Sequence, residues 1–416
     1  MRAIVTGVDS FPVFKQIETE GLKVIVTDIR VPFKENYRYE APDGVIRLEE
    51  ELFKYPAVDP QIKITPDTIA NLQYTGGTTG IYKGAMLSHA NLVANATQFR
   101  YWFKNVYQDG QGSFVCVIPM FHIYAMSTTM NHAVLSGSSI IILSKFDLNE
   151  LMRLIDKYKP NLFMGVPAMY GAIAMRDGHN YDLSSIEACM CGSAPLSVAV
   201  HEKFEKITGG KLREGYGLSE CSPAVALTPI YGRVKYGSVG VPIPDTDVKI
   251  VDPQTGREIT EPGVVGEIVV KGPQVMQGYW QQPEETALVL KDGWLRTGDL
   301  GSLDEDGYVF IADRLKDMII MGGEKIYPRE IEDVLYAHPA VKEAAAIGVP
   351  HPLRGEVPQA YVVLKETAAT TERELRNYCA DHLSKFKVPH KIEFIQELPR
   401  NSVGKVLRRD RKSTRL

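Results

Sequence analysis

Cysteine is scarce in this chain: five residues among 416, at Cys116, Cys189, Cys191, Cys221 and Cys379. They are too few and too irregularly spaced for a disulfide framework, and no Cys-x-x-Cys pair offers a zinc or redox site. Cys189 and Cys191 fall in an apolar run, where a thiol behaves as a small hydrophobe. This usage fits a reducing, cytoplasmic setting. A secretory leader pattern is also missing, as is an apolar run of about 20 residues that could cross a bilayer. The expectation is a soluble protein, for which peripheral contact with a membrane surface stays compatible. Nor is there an excess of positive charge. Lys and Arg number 47 against 51 Asp and Glu, a formal net charge of −4, so no global basic field draws the chain to nucleic acid. No internal repeat is present.

What the chain does have is bulk and alternation. With 44% hydrophobic residues over this length it can bury a large core in more than one domain. Apolar strands at Phe114 to Ile118, Ser139 to Leu143, Asn161 to Val166, Ala188 to Cys191 and Lys211 to Tyr216 alternate with helical spacing. The helical stretches are Tyr124 to Leu135, Leu148 to Tyr158 and Leu196 to Ile207. Such alternation implies the α/β class, parallel sheets flanked by helices, with ligands at the carboxyl ends of strands. From about Val234 the texture becomes short alternating strands between Asp-Pro, Pro-Gly and Asp-Gly turns, a small antiparallel sheet or barrel. Beyond Arg314 a third texture begins, with a helix from Pro328, strands at Val341 to Val349 and Gln359 to Leu364, a helix at Glu372 to Leu383 and a strand at Lys391 to Ile395. This predicts a large domain over 1–315 and a small α+β domain over 316–416.

Several segments could carry chemistry. In Tyr74 to Gly84, three Thr, three Gly and a Lys crowd into nine residues, Thr75 to Lys83. Small residues let backbone N–H groups approach an anion, Thr hydroxyls donate to phosphate oxygens, and Lys83 adds a point charge. Phosphate binding is favoured over a merely flexible loop, although no Gly-Lys-Ser/Thr closes a Walker A motif. In Glu214 to Glu220, glycines around Tyr216 would let a flat base rest on the ring, and Glu220 would offer a hard carboxylate to Mg²⁺. By itself this segment is equally compatible with a strand-to-loop turn carrying a surface acid. Asp299, in Gly293 to Asp299, can accept two hydrogen bonds from a ribose diol. Asp304 and Asp306 precede Gly307 in what reads as a hairpin turn. Lys405 lies beside Gly404 on a loop from Pro399, where alone it reads as part of a solvated basic tail. His122 could serve as a general base, but without a nucleophile signature a pocket-wall role is favoured.

In this order, from about Thr65 to Arg409, these motifs resemble the adenylate-forming superfamily of acyl-CoA synthetases, luciferases and peptide-synthetase adenylation domains. Asp313 to Glu332 looks like the hinge motif of medium- and long-chain acyl-CoA synthetases. The resemblance implies residue roles. Thr75, Gly76, Gly77, Thr78, Thr79, Gly80 and Lys83 would cradle phosphates, with Thr79 and Glu220 on Mg²⁺. Gly192, Ser193, Ala194, Glu214, Gly215, Tyr216, Gly217 and Ser219 would surround adenine and the α-phosphate, and Asp299 and Arg314 would hold the ribose. His122 and Tyr124, with Gly165, Val166 and Met169, would line the acyl pocket. Lys316 would be the hinge, Gly322 and Gly323 would line the coenzyme A passage, and Lys405 would bridge the carboxylate and the α-phosphate, making Lys405, Glu220 and Thr79 catalytic.

The implied activity is an acid–CoA ligase using ATP, Mg²⁺ and coenzyme A on a small-molecule carboxylic acid, a medium- or long-chain fatty acid by the hinge segment, with no nucleic-acid partner. A homodimer is compatible with it. The alternatives are transfer to a carrier protein or another acceptor, and a non-catalytic nucleotide- or acyl-binding relative. Against the family pattern, the chain reads as lacking an N-terminal stretch ahead of residues 1–60, and Asp410 to Leu416 does not continue it. Ser219 stands where Thr is common, and Ile320 where Lys is.

Overall fold

The computed structural model describes residues 3–7, 10, 23–28, 44–59, 61–75, 82–176, 180–366 and 368–400. Two compact units divide the chain, Met1–Ile64 and Thr65–Leu416. In the first, strands Ala3–Gly7, Lys23–Thr27 and Ile46–Arg47 pair in parallel, and helix Leu48–Leu52 follows.

The second unit is built on a seven-stranded sheet. Its order is Val241–Pro242, Ala224–Leu227, Lys211–Gly217, Ala188–Cys191, Leu162–Gly165, Ser113–Cys116 and Ser139–Ile142. The last five run parallel and the first two join antiparallel. Leu162–Gly165 and Ala188–Cys191 are buried at every position, as expected of strands covered on both faces. Helix Leu148–Tyr158 starts where the Asp147 carboxylate accepts the Glu150 N–H at 2.8 Å and turns Leu151, Met152 and Ile155 inward. Helix Val198–Thr208 begins two residues later than the apolar spacing suggests, because Ser197 caps it by accepting the Val200 N–H; Gly209, at φ +75°, ends it. Between sheet and helices, the Tyr170 ring meets Phe163 at a tilt and Phe204 edge-on, with centroids 5.1 and 5.0 Å apart.

The expected helix Tyr124 to Leu135 is helical throughout but not uniformly so. A π-helical stretch, Met126–Asn131, separates Ile123–Ala125 from His132–Leu135. The Thr128 hydroxyl donates back to the Tyr124 carbonyl at 2.7 Å. The wide turns deliver His132, fully buried, among Phe99, Phe103, Tyr107 and Phe114.

Two elements go beyond the sequence reading. Strands Ile69–Thr75 and Lys83–Ser88 form an antiparallel hairpin, and Ser88 opens helix His89–Trp102 through a reciprocal cap with Asn91. The turn-rich region folds as a six-stranded antiparallel sheet of Glu258–Ile259, Asp247–Val251, Gly266–Lys271, Trp294–Leu303 and Leu290–Lys291, with Val309–Arg314 also paired to Trp294–Leu303. Its Asp304–Gly307 turn is closed by the Asp304 carboxylate accepting the Asp306 and Tyr308 N–H groups.

A five-stranded sheet follows, in the order Glu324–Ile326, Ile319–Met321, Gly355–Leu364 and Val341–His351, with Lys391–Phe394 parallel to Gly355–Leu364. Helices Pro328–Ala337 and Glu372–His382 pack on it. The two long strands run farther toward each other than expected, pairing as far as His351 with Gly355. Pro350 and Pro358, which weaken any sequence case for a strand, sit inside them.

Candidate active site

Strand Lys211–Gly217 delivers the first cluster. The Tyr216 hydroxyl donates to Asp299 Oδ2 at 2.7 Å, and burial followed by that carboxylate pushes the phenol well above its ordinary pKa. Asp299 and Arg314 are cross-strand partners, with the guanidinium Nε 3.4 Å from Asp299 Oδ1. Asp299 is therefore an oriented anion with a phenol on one oxygen and a cation beside the other. The flanking glycines sit close against a neighbouring strand. A Cβ at Gly215 would fall 2.4 Å from Leu227 Cδ2, and one at Gly217 would fall 2.3 Å from the Pro223 carbonyl oxygen. They let the neighbouring strand approach. Tyr216 itself packs against the apolar cluster around Val225, Ala226 and Ile268.

Glu214 accepts the Leu196 N–H at 3.2 Å, fixing the loop through Gly192, Ser193 and Ala194. Burial raises its pKa, while the Leu196 N–H and, to a lesser degree, the Arg329 charge oppose that rise. Ser193 holds φ +73°, a left-handed backbone that is strained for a side-chain-bearing residue.

Glu220 belongs to the second cluster. Its Oε1 accepts the Tyr279 hydroxyl at 2.8 Å. The Tyr279 ring lies under the Lys83 ammonium, 5.1 Å from the centroid, and Lys83 is ion-paired to Glu285. Thr75 pairs with Lys83 at the mouth of the hairpin. A cavity of about 260 Å³ opens beside Glu220 and Tyr279, with Thr297, Gly298 and Leu315 on its wall. Among the described residues no group of three or more His, Cys, Asp or Glu is arranged to hold a metal. A lone hard carboxylate nonetheless suits Mg²⁺, which takes one or two protein carboxylates and completes its octahedron with phosphate oxygens and water.

On the acyl side, the Tyr124 hydroxyl, expected on a pocket wall, is spent on the main chain. It lies 2.7 Å from the Met190 carbonyl oxygen and 3.1 Å from that of Gly165, tying two strand ends together. Its ring covers Gly192, where an added Cβ would meet Tyr124 Cζ at 3.3 Å. Gly165 has no room for a side chain either, because Tyr170 lies 2.9 Å from where one would start. His122 caps the short helix after it, its Nδ1 accepting the Tyr124 N–H at 3.2 Å. Val166 precedes helix Pro167–Met175, which carries Met169, and both residues pack against the core.

Lys316 lies in the turn after Val309–Arg314. Gly322 and Gly323, with φ +60° and +95°, form the two-residue turn of the hairpin Ile319–Met321/Glu324–Ile326, in space open to a side chain. Ser219 opens the short turn bearing Glu220. Gly76, Gly77, Thr78, Thr79, Gly80 and Lys405 lie outside the described residues.

Sequence reasoning passed over Tyr279, Glu285 and the Asp313–Arg329 pair. Buried Asp313 accepts the Arg314 and Arg329 N–H groups, each at 2.8 Å, while the Arg329 side chain donates to the Ile311 carbonyl at 2.9 Å. The aromatic in Gly278-Tyr-Trp was a possible signal for Tyr279, but nothing local ties it to a carboxylate 59 positions away.

A parallel α/β sheet, an antiparallel sheet and a small C-terminal α+β fold, with an acid, a tyrosine and an arginine brought together from three strands, define an adenylate-forming enzyme fold. The chain belongs to the AMP-binding enzyme family: the family model matches residues 2–280, and that of the AMP-binding enzyme C-terminal domain matches 330–405. It is 49% identical over 360 residues to a long-chain-fatty-acid–CoA ligase of Bacillus subtilis, which takes in 86% of this chain and 63% of that one, so it spans somewhat under two thirds of that relative's length. It superposes on the crystal structure of ATP-bound MatB from Rhodopseudomonas palustris with a TM-score of 0.87 at 32% identity, covering 99% of this chain and 79% of that one. It also superposes on the o-succinylbenzoate coenzyme A synthetase of Bacillus subtilis in complex with ATP and magnesium, with a TM-score of 0.79 at 29% identity, covering 98% and 88%. Among the described residues no helix is long and apolar enough to cross a membrane.

Proposed function

We propose that this chain joins a carboxylic acid, of medium or long aliphatic chain, to coenzyme A at the expense of ATP. In the first step a carboxylate oxygen attacks the α-phosphorus and pyrophosphate leaves with the electrons of the broken P–O bond. In the second the coenzyme A sulfur attacks the acyl carbon, AMP leaves, and the thiol proton is released. The observation that carries this reading is the Tyr216–Asp299–Arg314 constellation. Its oriented carboxylate suits a ribose diol. The ATP named with the MatB and synthetase structures supports the nucleotide, and the Bacillus subtilis ligase supports a fatty acid.

Repulsion between a carboxylate and ATP opposes the first step, so cations must gather where charge builds up. Lys83 and Lys405 would supply ammonium groups. Mg²⁺, held by Glu220 and Thr79 together with the phosphates, would add a compact divalent charge. Residues from Lys316 onward would act as a hinged lobe that brings Lys405 in for adenylation, then turns the Gly322–Gly323 hairpin toward incoming coenzyme A. The reaction would take place in the cytoplasm on small-molecule partners alone.

Pyrophosphate release, measured with a graded panel of fatty acids and aryl acids, tests the reading, and coenzyme A is then compared with carrier-protein pantetheine as acceptor. The expected result is release that depends on a fatty acid and thioester formation with free coenzyme A. Absence of release with every acid would overturn the proposal.

A further inference from the structure

Tyr279 joins two parts of the site through two faces of its own chemistry. The phenol oxygen holds Glu220, and the π-face holds the Lys83 ammonium. Main-chain bonds strap the segment that carries it on both sides. The Trp280 N–H donates to the Gly84 carbonyl, the Met86 N–H to that of Gly278, and the Met276 N–H to that of Glu220, each at 2.8 Å. Gly278 takes φ +140°, and a Cβ there would meet Thr286 Cγ2 at 2.7 Å. Tyr279 is only 7% exposed, so neither ring nor hydroxyl has much freedom. The hydrogen bond fixes the Glu220 carboxylate through one oxygen while Glu220 lines the cavity. A carboxylate held in one orientation before the metal arrives loses less entropy on binding it, which is why partners of metal ligands matter almost as much as the ligands.

We propose that Tyr279 is a positioning residue. It presets Glu220 for the divalent cation that accompanies ATP and sets the spacing between that acid and the cation of the threonine-rich loop. The inference rests on Glu220 being the metal-binding acid, as read above. The decisive variant is Tyr279→Phe, which removes the hydroxyl and keeps the ring under Lys83. Mn²⁺ binding in the presence of ATP is titrated by electron paramagnetic resonance, beside metal-free ATP binding and thermal unfolding.

In Tyr279→Phe the Mn²⁺ affinity should fall roughly 10–100-fold. Metal-free ATP binding should stay within about twofold, and the Mg²⁺ concentration that half-saturates pyrophosphate release should rise in step. Glu220→Gln should weaken Mn²⁺ on its own, and adding Tyr279→Phe to it should change nothing further. Glu285→Gln, at a half-exposed position, releases Lys83 but leaves the Tyr279–Glu220 bond, so its Mn²⁺ affinity should match the unsubstituted chain. If Glu220→Gln weakens Mn²⁺ and Tyr279→Phe does not, the positioning role is overturned while the metal site stands. If Glu285→Gln loses as much as Tyr279→Phe, the effect is one of general charge and the assignment is again overturned. If Glu220→Gln binds Mn²⁺ as well as the unsubstituted chain, the reading of Glu220 itself fails.

Discussion

Acid should loosen this protein through one histidine. His132 is fully buried among four aromatic rings, its Nε2 facing the Tyr107 hydroxyl and its Nδ1 3.3 Å from the Thr128 carbonyl. That arrangement suits a neutral ring with its proton on Nδ1. Burial, the dominant cause, takes its pKa from 6.5 down to about 4; the Thr128 carbonyl opposes the fall, and more distant Arg100 and Asp109 act in opposite senses. The sign follows directly. Below pH 6.5 the unfolded chain takes up a proton that the folded chain refuses down to about pH 4, so the unfolded state gains as pH falls through that window. Above it His132 costs nothing. Between pH 7 and pH 5 the loss comes to about 2 kcal/mol. Urea unfolding at these two pH values, for the parent and for His132→Gln, measures it. Gln can still accept from Tyr107 but does not titrate, so the variant should lose about 2 kcal/mol less than the parent over the same interval. Parallel pH profiles for the two proteins would refute the argument.

Other substitutions test other parts of the molecule. Asp299→Asn keeps the shape but removes the charge facing Arg314, and ATP binding, followed by calorimetry, should weaken by roughly 10–100-fold, the worth of a charge-assisted hydrogen bond. Gly240→Ala should destabilise by about 3 kcal/mol or more in denaturant melts, since the residue holds φ +90° and a Cβ there would lie 1.9 Å from the Leu227 carbonyl carbon. Lys405→Ala, supplied with a preformed acyl-adenylate, should still form thioester while losing most adenylation; equal loss of both steps would contradict the proposed division of labour between the two faces of the hinged lobe.

The fold was legible wherever burial left a periodic trace. Runs such as Leu162–Gly165, apolar on both faces, and the inward stripe of Leu148–Tyr158 can be read from spacing alone. The hairpin around the threonine-rich loop was not. Its strand Ile69–Thr75 is half-buried except at Ala70 and Tyr74, and polar Asn71 and Gln73 flank Leu72, so no clean apolar alternation marks it. The long C-terminal strands were cut short on paper by Pro350 and Pro358, which the tertiary pairing accommodates. At the site, Asp299, Arg314, Tyr216 and Glu220 stood out because each sits in a recognisable string. Tyr279 and Arg329 did not, since their partners are distant in sequence and only folding reveals that a phenol or a guanidinium has somewhere specific to go. The close approach of a strand to Gly215 and Gly217 was not legible either, since no neighbouring residue in the string says what lies against them.

The buried Asp313 carboxylate has a mechanical consequence. One oxygen holds the backbone of Arg314 and the other holds the first turn of helix Pro328–Ala337. Tilting that helix away would strip a backbone donor from an acid with little access to water, a charge-assisted hydrogen bond that nothing nearby in the solvent could readily replace. The end of one strand and the start of one helix are thereby tied together by a single buried anion.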